Sequence, residues 1–509
     1  MPVPDAGNLA DLVRRAAAGR GDRAALLHVP DGASEAVTTT WAELDRDVDA
    51  AAAGLRDQLH LRDGDRVAIA LTNSPAFVTA YFAVLRAGLV AVPVNTGYTS
   101  PEVARLLSDA DVHVVLCDDT TTSVVEVAVA GTSRVHVDPA GLDAVTAAGR
   151  SAGPQDARGG AESLAVLMFT SGTSGRPRGA MLSHRAMLAN LAQCQQLEPA
   201  PMRPDDIVLL VLPLFHVYGL NAGLGMVAAT GATGFVAERF DPATTLATAR
   251  RHGVDNIPGA PPMFAAWSRS DDGDALRDVR LLVSGASPLP PEVIEAVRTR
   301  TGRTVHEGYG LTECAPVVSS TLASAQAKPG SVGRPVPGVE VTLRDERGDE
   351  VVDGDPGEVW VRGDNLFSGY WPDGADGPGA DGWWATGDVA YADEDGDLFL
   401  VDRRKELVLV SGFNVYPREV EDALVEHPDV AEAAVISVPH PDTGEAVKAF
   451  VVPRRGATLT AEDVAAHAAA RLARFKRPTE ISVVESLPYS ATGKVAKGRL
   501  REDLEDDTA

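Results

Sequence analysis

Apolar and polar positions along the first half of the chain alternate in long, regular blocks. Residues 67–71 and 90–94 are continuous apolar runs and 112–117 is apolar except for His113, the pattern of strands buried on both faces. Between them, residues 75–88 and 101–110 carry helical periodicity. The first has Asn73 or Ser74 as cap and Pro75 in its opening turn. Strand–helix–strand spacing predicts a parallel sheet covered on both faces. Residues 148–163 are rich in Gly, Ala and polar side chains and are predicted as loop, and 164–169 as a strand. The rhythm resumes with strands at 207–212, 234–236 and 281–283.

After residue 331 the texture changes to shorter strands separated by Gly/Pro turns such as Gly354-Asp355-Pro356-Gly357. Residues 371–381 form a Pro/Gly/Asp loop. A boundary is expected near Asp402. Beyond it lies a small α+β unit with helices at 417–426 and 461–473 and strands at 431–438, 446–452 and 481–484. The acidic tail, 501–509, is expected to fray. The fold class expected is therefore α/β. A large multi-layer N-terminal domain with parallel sheets and a β-rich subdomain spans 1–402, and a small α+β domain spans 403–509.

Length and composition agree with this division. A chain of 509 residues, 45% hydrophobic and 23% charged, is long enough for a large core plus a satellite domain. A formal net charge of −26 disfavours nucleic-acid binding while allowing a local basic pocket for a small phosphorylated ligand. Cys117, Cys194 and Cys314 fit neither a metal site nor a disulfide framework, which suggests a reducing compartment. No run approaches the ~18 apolar residues of a membrane span, and the N-terminus carries no apolar signal core. A cytoplasmic protein is expected. Only six of the 46 basic residues are lysine, so a retained Lys draws attention.

Candidate chemistry begins with Thr170-Ser171-Gly172-Thr173-Ser174-Gly175-Arg176-Pro177-Arg178-Gly179 after a predicted strand. Small residues let backbone N–H groups approach an anion, hydroxyls add donors, and Arg178 adds charge. The Gly-Lys-Ser/Thr ending of P-loop NTPases is missing. Three further blocks follow: Glu307-Gly308-Tyr309-Gly310-Leu311-Thr312-Glu313; Thr386-Gly387-Asp388 with Asp402-Arg403-Arg404-Lys405-Glu406; and Leu487 to Lys494, ending Thr492-Gly493-Lys494. Alone, a Tyr between glycines or a Thr-Gly-Asp is more often a turn.

In this order and over nearly the whole chain, the blocks resemble the adenylate-forming superfamily, especially fatty-acid acyl-CoA synthetases, with coumarate-CoA-ligase-like features. The family usually has Lys where this chain has Arg178. The resemblance implies ATP and coenzyme A as co-substrates and Mg²⁺ held by Glu313 and Thr173. It assigns ATP to Thr170, Ser171, Gly172, Thr173, Ser174, Gly175, Arg178, Gly285, Ala286, Ser287, Glu307, Gly308, Tyr309 and Gly310, and the ribose to Asp388 and Arg403. It gives catalysis to Thr312, Glu313 and Lys494, with Lys494 expected on the carboxylate and α-phosphate oxygens. It places the acid near Phe215, His216, Tyr218, Asn221 and Gly310, with the histidine as pocket wall and not as base. It assigns Ser411, Gly412 and Phe413 to the coenzyme A path and Lys405 to the hinge, and Lys497 is left as surface.

The implied reaction converts a carboxylic acid, ATP and CoA to acyl-CoA, AMP and diphosphate, for a medium- or long-chain fatty acid. The alternatives are an aryl-CoA ligase, an acyl-AMP ligase that loads a carrier protein, and a non-catalytic nucleotide-binding protein. Oligomeric state is left open.

Overall fold

The structure is a computed structural model. It describes residues 7–30, 33–170, 177–352, 354–403, 406, 408–410, 413–440, 444–489 and 494–506. For 402, 403, 409, 413, 414, 444 and 502–506 it describes the backbone alone. Two compact units divide the chain. The first comprises Met1–Gly172, Arg176–Glu340 and Arg362–Trp384; the second comprises Thr173–Gly175, Val341–Val361 and Ala385–Ala509. The boundary expected near 402 thus differs from the compact division, which groups residues 341–361 and 385–402 with the C-terminal unit.

The first unit holds two sheets. The six-stranded one runs, in space, Val135–Val137, Val112–Cys117, Arg66–Ala70, Val90–Pro93, Leu164–Thr170, Arg178–Ser183. Its pairs are parallel except the last, an antiparallel hairpin. In the nine-stranded sheet, Thr233–Val236, Ile207–Leu210, Asn256–Gly259, Leu281–Ser284 and Val305–Gly310 form a parallel centre. The apolar runs are strands because both faces are covered: Val67, Ala68 and Ile69 have no exposed surface. The helix Pro75–Arg86 starts as expected, with Ser74 Oγ accepting from Phe77 N at 3.2 Å and Pro75 in the first turn. A longer helix, Trp41–Leu59, opens with a capping box between Thr40 and Glu43. Within 148–163, helix Pro139–Gly149 and a short 3₁₀ turn, Arg150–Ala152, occupy the start of the predicted loop.

The second unit contains a four-stranded sheet, Glu340–Arg344, Gly357–Arg362, Trp384–Ala392 and Leu398–Arg403, and a five-stranded sheet built around Val430–His440 and Gly444–Pro453. Helices Pro417–Val425 and Ala461–Arg471 join the latter through a core that includes Val420, Leu424, Val435, Val451 and Val464. The tail departs from expectation, because Lys497–Asp506 is helical. Leu500 packs with Ile436, Phe450 and Leu487, and that contact orders a segment whose composition reads as solvated. Lys497 is also not a surface residue. Its side chain is 13% exposed and pairs with Glu406 at 3.1 Å and Glu421 at 2.8 Å. No described helix is long and apolar enough to cross a membrane. The three cysteines are free and buried.

Candidate active site

The hairpin Leu164–Thr170 and Arg178–Ser183 brings the two ends of the Ser/Thr/Gly block together, with Thr170 opposite Arg178. Thr170 Oγ1 donates to the Arg178 carbonyl at 3.5 Å. Ser171, Gly172, Thr173, Ser174 and Gly175 lie outside the described residues. Arg178 stacks its guanidinium on the Tyr370 ring, with Cζ 3.7 Å from the centroid, and pairs with Asp376 at 2.8 Å. The Tyr370 hydroxyl donates to Glu313 Oε1 at 2.6 Å. Arg178 and Glu313, 135 positions apart in sequence, thus meet across one aromatic side chain. Burial, then the Glu313 charge, pushes the Tyr370 hydroxyl above the usual phenol range and keeps it a donor.

Tyr370 belongs to a strap that runs beside the hairpin. Ser368 N donates to Met181 O, Met181 N to Gly369 O and Trp371 N to Gly179 O, at 2.8–3.1 Å. Phe367 N donates to the Glu313 carbonyl at 2.9 Å, and its ring meets Tyr370 edge-on at 5.0 Å. Sequence reasoning read 371–381 as loop and missed Tyr370. No local spacing links it to Glu313, 57 residues away.

The strand Val305–Gly310 places Glu307 and Tyr309 on its buried face. The Glu307 carboxylate accepts from Leu289 N at 3.1 Å, so it fixes the chain that follows Gly285-Ala286-Ser287. Gly310 has no room for a side chain: a Cβ there would sit 2.2 Å from the Pro316 carbonyl oxygen. Thr312–Cys314 then forms one 3₁₀ turn ended by Ala315 at φ 60°.

Three buried side-chain amides clamp this turn. Asn365 Nδ2 donates to Cys314 O at 2.8 Å and Asn221 Nδ2 to Ala315 O at 2.7 Å, and Asn190 exchanges bonds with both backbone groups of Val317. Glu313, 8% exposed, is therefore rigidly carried. None of Asn190, Asn365 or Tyr370 was singled out from sequence.

Asn221, expected beside the acid, has no exposed surface and spends its amide on Ala315 and Met187 carbonyls. It lies in a π-helix, Tyr218–Gly225, that aims it inward. His216 Nδ1 accepts from Tyr218 N at 3.2 Å, and Tyr218 donates to Val283 O at 3.3 Å. The Tyr218 ring also fills the space a side chain at Gly285 would need, with its Cε1 3.0 Å from where a Cβ would lie. Ala286 follows at φ 75°, a strained backbone for a residue with a Cβ. His216, Tyr218 and Gly285-Ala286-Ser287 are thereby drawn into one neighbourhood.

In the second unit, Asp388 is 7% exposed and lies directly opposite Arg403 across an antiparallel pair. Thr386 Oγ1 accepts from Asp388 N at 3.1 Å and donates to Val359 O at 2.9 Å, which sets the turn into the strand. Lys494 is exposed; Lys405, Ser411 and Gly412 lie outside the described residues, and Phe413 is described by its backbone in Phe413–Val415.

Glu313 suits magnesium. One carboxylate oxygen is held by Tyr370, and among the described residues the other accepts no hydrogen bond, leaving a buried hard donor.

A family model of AMP-binding enzymes matches residues 13–371, and a model of the AMP-binding enzyme C-terminal domain matches 419–494. The chain belongs to the AMP-binding enzyme family. A long-chain-fatty-acid–CoA ligase of Yersinia pestis is 35% identical over 91% of this chain and 90% of its own length. A 4-coumarate–CoA ligase of Oryza sativa subsp. japonica is 34% identical over 99% and 96%. Among solved structures, ATP-bound MatB from Rhodopseudomonas palustris superposes with a TM-score of 0.89 at 32% identity, covering 99% of this chain and all of that one. The family explains why motifs in two compact units occur in one order along a single chain: both of its domains are present.

Proposed function

We propose that the chain is an acyl-CoA synthetase that activates a medium- or long-chain fatty acid. The carboxylate attacks the α-phosphorus of ATP, diphosphate leaves, and the coenzyme A thiol then displaces AMP from the acyl-adenylate. The observation that carries this reading is the meeting of Arg178, at the exit of the phosphate hairpin, with Glu313 across Tyr370. A cation and a buried carboxylate so placed suit a metal-bound triphosphate.

Magnesium bound at Glu313, with Thr173 as second protein ligand, would neutralise charge on the departing diphosphate. Arg178 supplies a further positive charge, and Thr312 contacts the α-phosphate. Asp388, acceptor-only when ionised, suits two neighbouring ribose hydroxyls, with Arg403 beside it in register. Lys494 is assigned to the carboxylate and α-phosphate oxygens, where charge builds during attack. Lys405 is assigned to the hinge, and Ser411, Gly412 and Phe413 to the coenzyme A path. No general base is needed, because a carboxylate is already ionised at neutral pH.

Fatty acid as substrate is supported by the Yersinia relative, and an aryl acid by the Oryza relative; Phe215–Asn221 also resembles coumarate-type ligases. ATP–diphosphate exchange across acids from acetate to palmitate and cinnamate separates them. Exchange should peak with C8 to C16 acids, and free coenzyme A should convert the product to a thioester with release of AMP. Peak exchange with cinnamate would move the assignment to aryl acids. Thioester formation only on a carrier protein would remove coenzyme A, and ADP as product would end the reading altogether.

A further inference from the structure

Tyr370 touches both halves of the phosphate machinery and belongs to none of the motifs. Its ring carries the Arg178 guanidinium at 3.7 Å, close enough for a flat stack. A planar, weakly hydrated guanidinium suits that face; a lysine ammonium, compact and strongly hydrated, does not. Its hydroxyl donates to Glu313 Oε1 at 2.6 Å, a short bond of the charge-assisted kind.

The ring is not free to turn away. Tyr370 N donates to Ala375 O at 2.9 Å, the backbone bridges Ala180, and Phe367 packs edge-on against the ring. The other partner of Arg178, Asp376, is 71% exposed, so water competes for that pair and the stack is the firmer restraint.

We propose that Tyr370 is a positioning residue. It orients the Glu313 carboxylate so that Oε2 faces the metal–nucleotide, and it holds Arg178 in a stack matched to arginine and not to lysine. The inference rests on the proposed function, because it takes Glu313 as a metal ligand and Arg178 as a phosphate contact.

The test uses the full chain with Mn²⁺ and the non-cleavable α,β-methylene analogue of ATP. Binding is read by Mn²⁺ electron paramagnetic resonance, beside ATP–diphosphate exchange kinetics and thermal unfolding. Tyr370→Phe keeps the ring and loses the donor. It should weaken Mn²⁺–nucleotide binding about tenfold, the scale of a hydrogen bond to a charged group, and raise KM for MgATP more than it lowers kcat, while the unfolding midpoint falls by only a few degrees, because the buried Glu313 carboxylate loses one donor. Arg178→Lys should cost severalfold in the wild type, but much less in a Tyr370→Leu background, where no ring remains to lose.

Equal Mn²⁺–nucleotide affinity for wild type and Tyr370→Phe would overturn the orienting role. Additive losses for Arg178→Lys and Tyr370→Leu would overturn the matched stack. Failure of the wild type itself to bind Mn²⁺ with the analogue would instead remove the functional reading beneath both.

Discussion

Replacing Asn221 by alanine deletes a side chain with no exposed surface whose amide donates to Ala315 O at 2.7 Å and Met187 O at 3.0 Å. The Met187 carbonyl sits inside the helix His184–Cys194, where a backbone N–H four residues on already shares it. The Ala315 carbonyl has no such helical neighbour, and leaving a buried acceptor unpaired costs about 1–3 kcal/mol. Part of that returns, because Asn221 Oδ1 is itself buried without a partner among the described residues and its removal ends that cost. A net destabilisation of about 1 kcal/mol is expected.

The functional consequence follows from strain. Ala315 is held at φ 60°, which costs a residue with a Cβ roughly 1–2 kcal/mol. Once the amide is gone, the turn can relax toward ordinary backbone angles, and Glu313 lies two residues upstream in that same turn. Steady-state diphosphate exchange on Asn221→Ala should therefore show a raised KM for MgATP and a lowered kcat, with KM for the acid little changed. Urea titration of the same protein should show the lowered stability. If KM for the acid rises alone and the urea curve is superimposable on wild type, Asn221 touches the substrate and the clamp argument is wrong.

Gly310→Ala should reduce exchange more than tenfold and destabilise by about 1–3 kcal/mol, because its methyl would meet the Pro316 carbonyl oxygen at 2.2 Å and backbone must move; wild-type exchange would show that the strand yields freely. His184, buried and accepting from Leu9 N at 3.1 Å, has its pKa lowered by burial from 6.5 to about 4. Its neutral form is the one folding favours, so this contribution is full above pH 6.5 and is lost as pH falls toward 4, amounting to about 2 kcal/mol at pH 5. His184→Gln should lose less stability than wild type between pH 7.5 and 5, and parallel losses in the two proteins would refute the assignment. Lys494→Ala should abolish exchange while sparing thioester formation from supplied acyl-adenylate; equal loss of both half-reactions would contradict the role given to Lys494.

Much of the architecture was legible because the relevant physics is local. Strands buried on both faces must be almost continuously apolar, so 67–71, 90–94 and 112–117, the last broken by the exposed His113, announced a parallel sheet, and Ser74-Pro75 announced the helix after it. The tail helix was not legible. Its order depends on Leu500 reaching Ile436 and on Lys497 reaching Glu406 and Glu421, and composition records none of those partners.

The site divides along the same line. By itself the sequence determined which chemical groups are present and in what order: the small-residue loop, Arg178, Glu313, Asp388 and Lys494. Only the tertiary structure decided what steers them. Tyr370 acts on Glu313 across 57 positions, Asn365 on Cys314 across 51, Asn221 on Ala315 across 94, and Asn190 on Val317 across 127. A hydrogen bond needs its atoms about 3 Å apart in space and sets no spacing along the chain. Groups whose only task is to hold others therefore leave no pattern until the chain is folded.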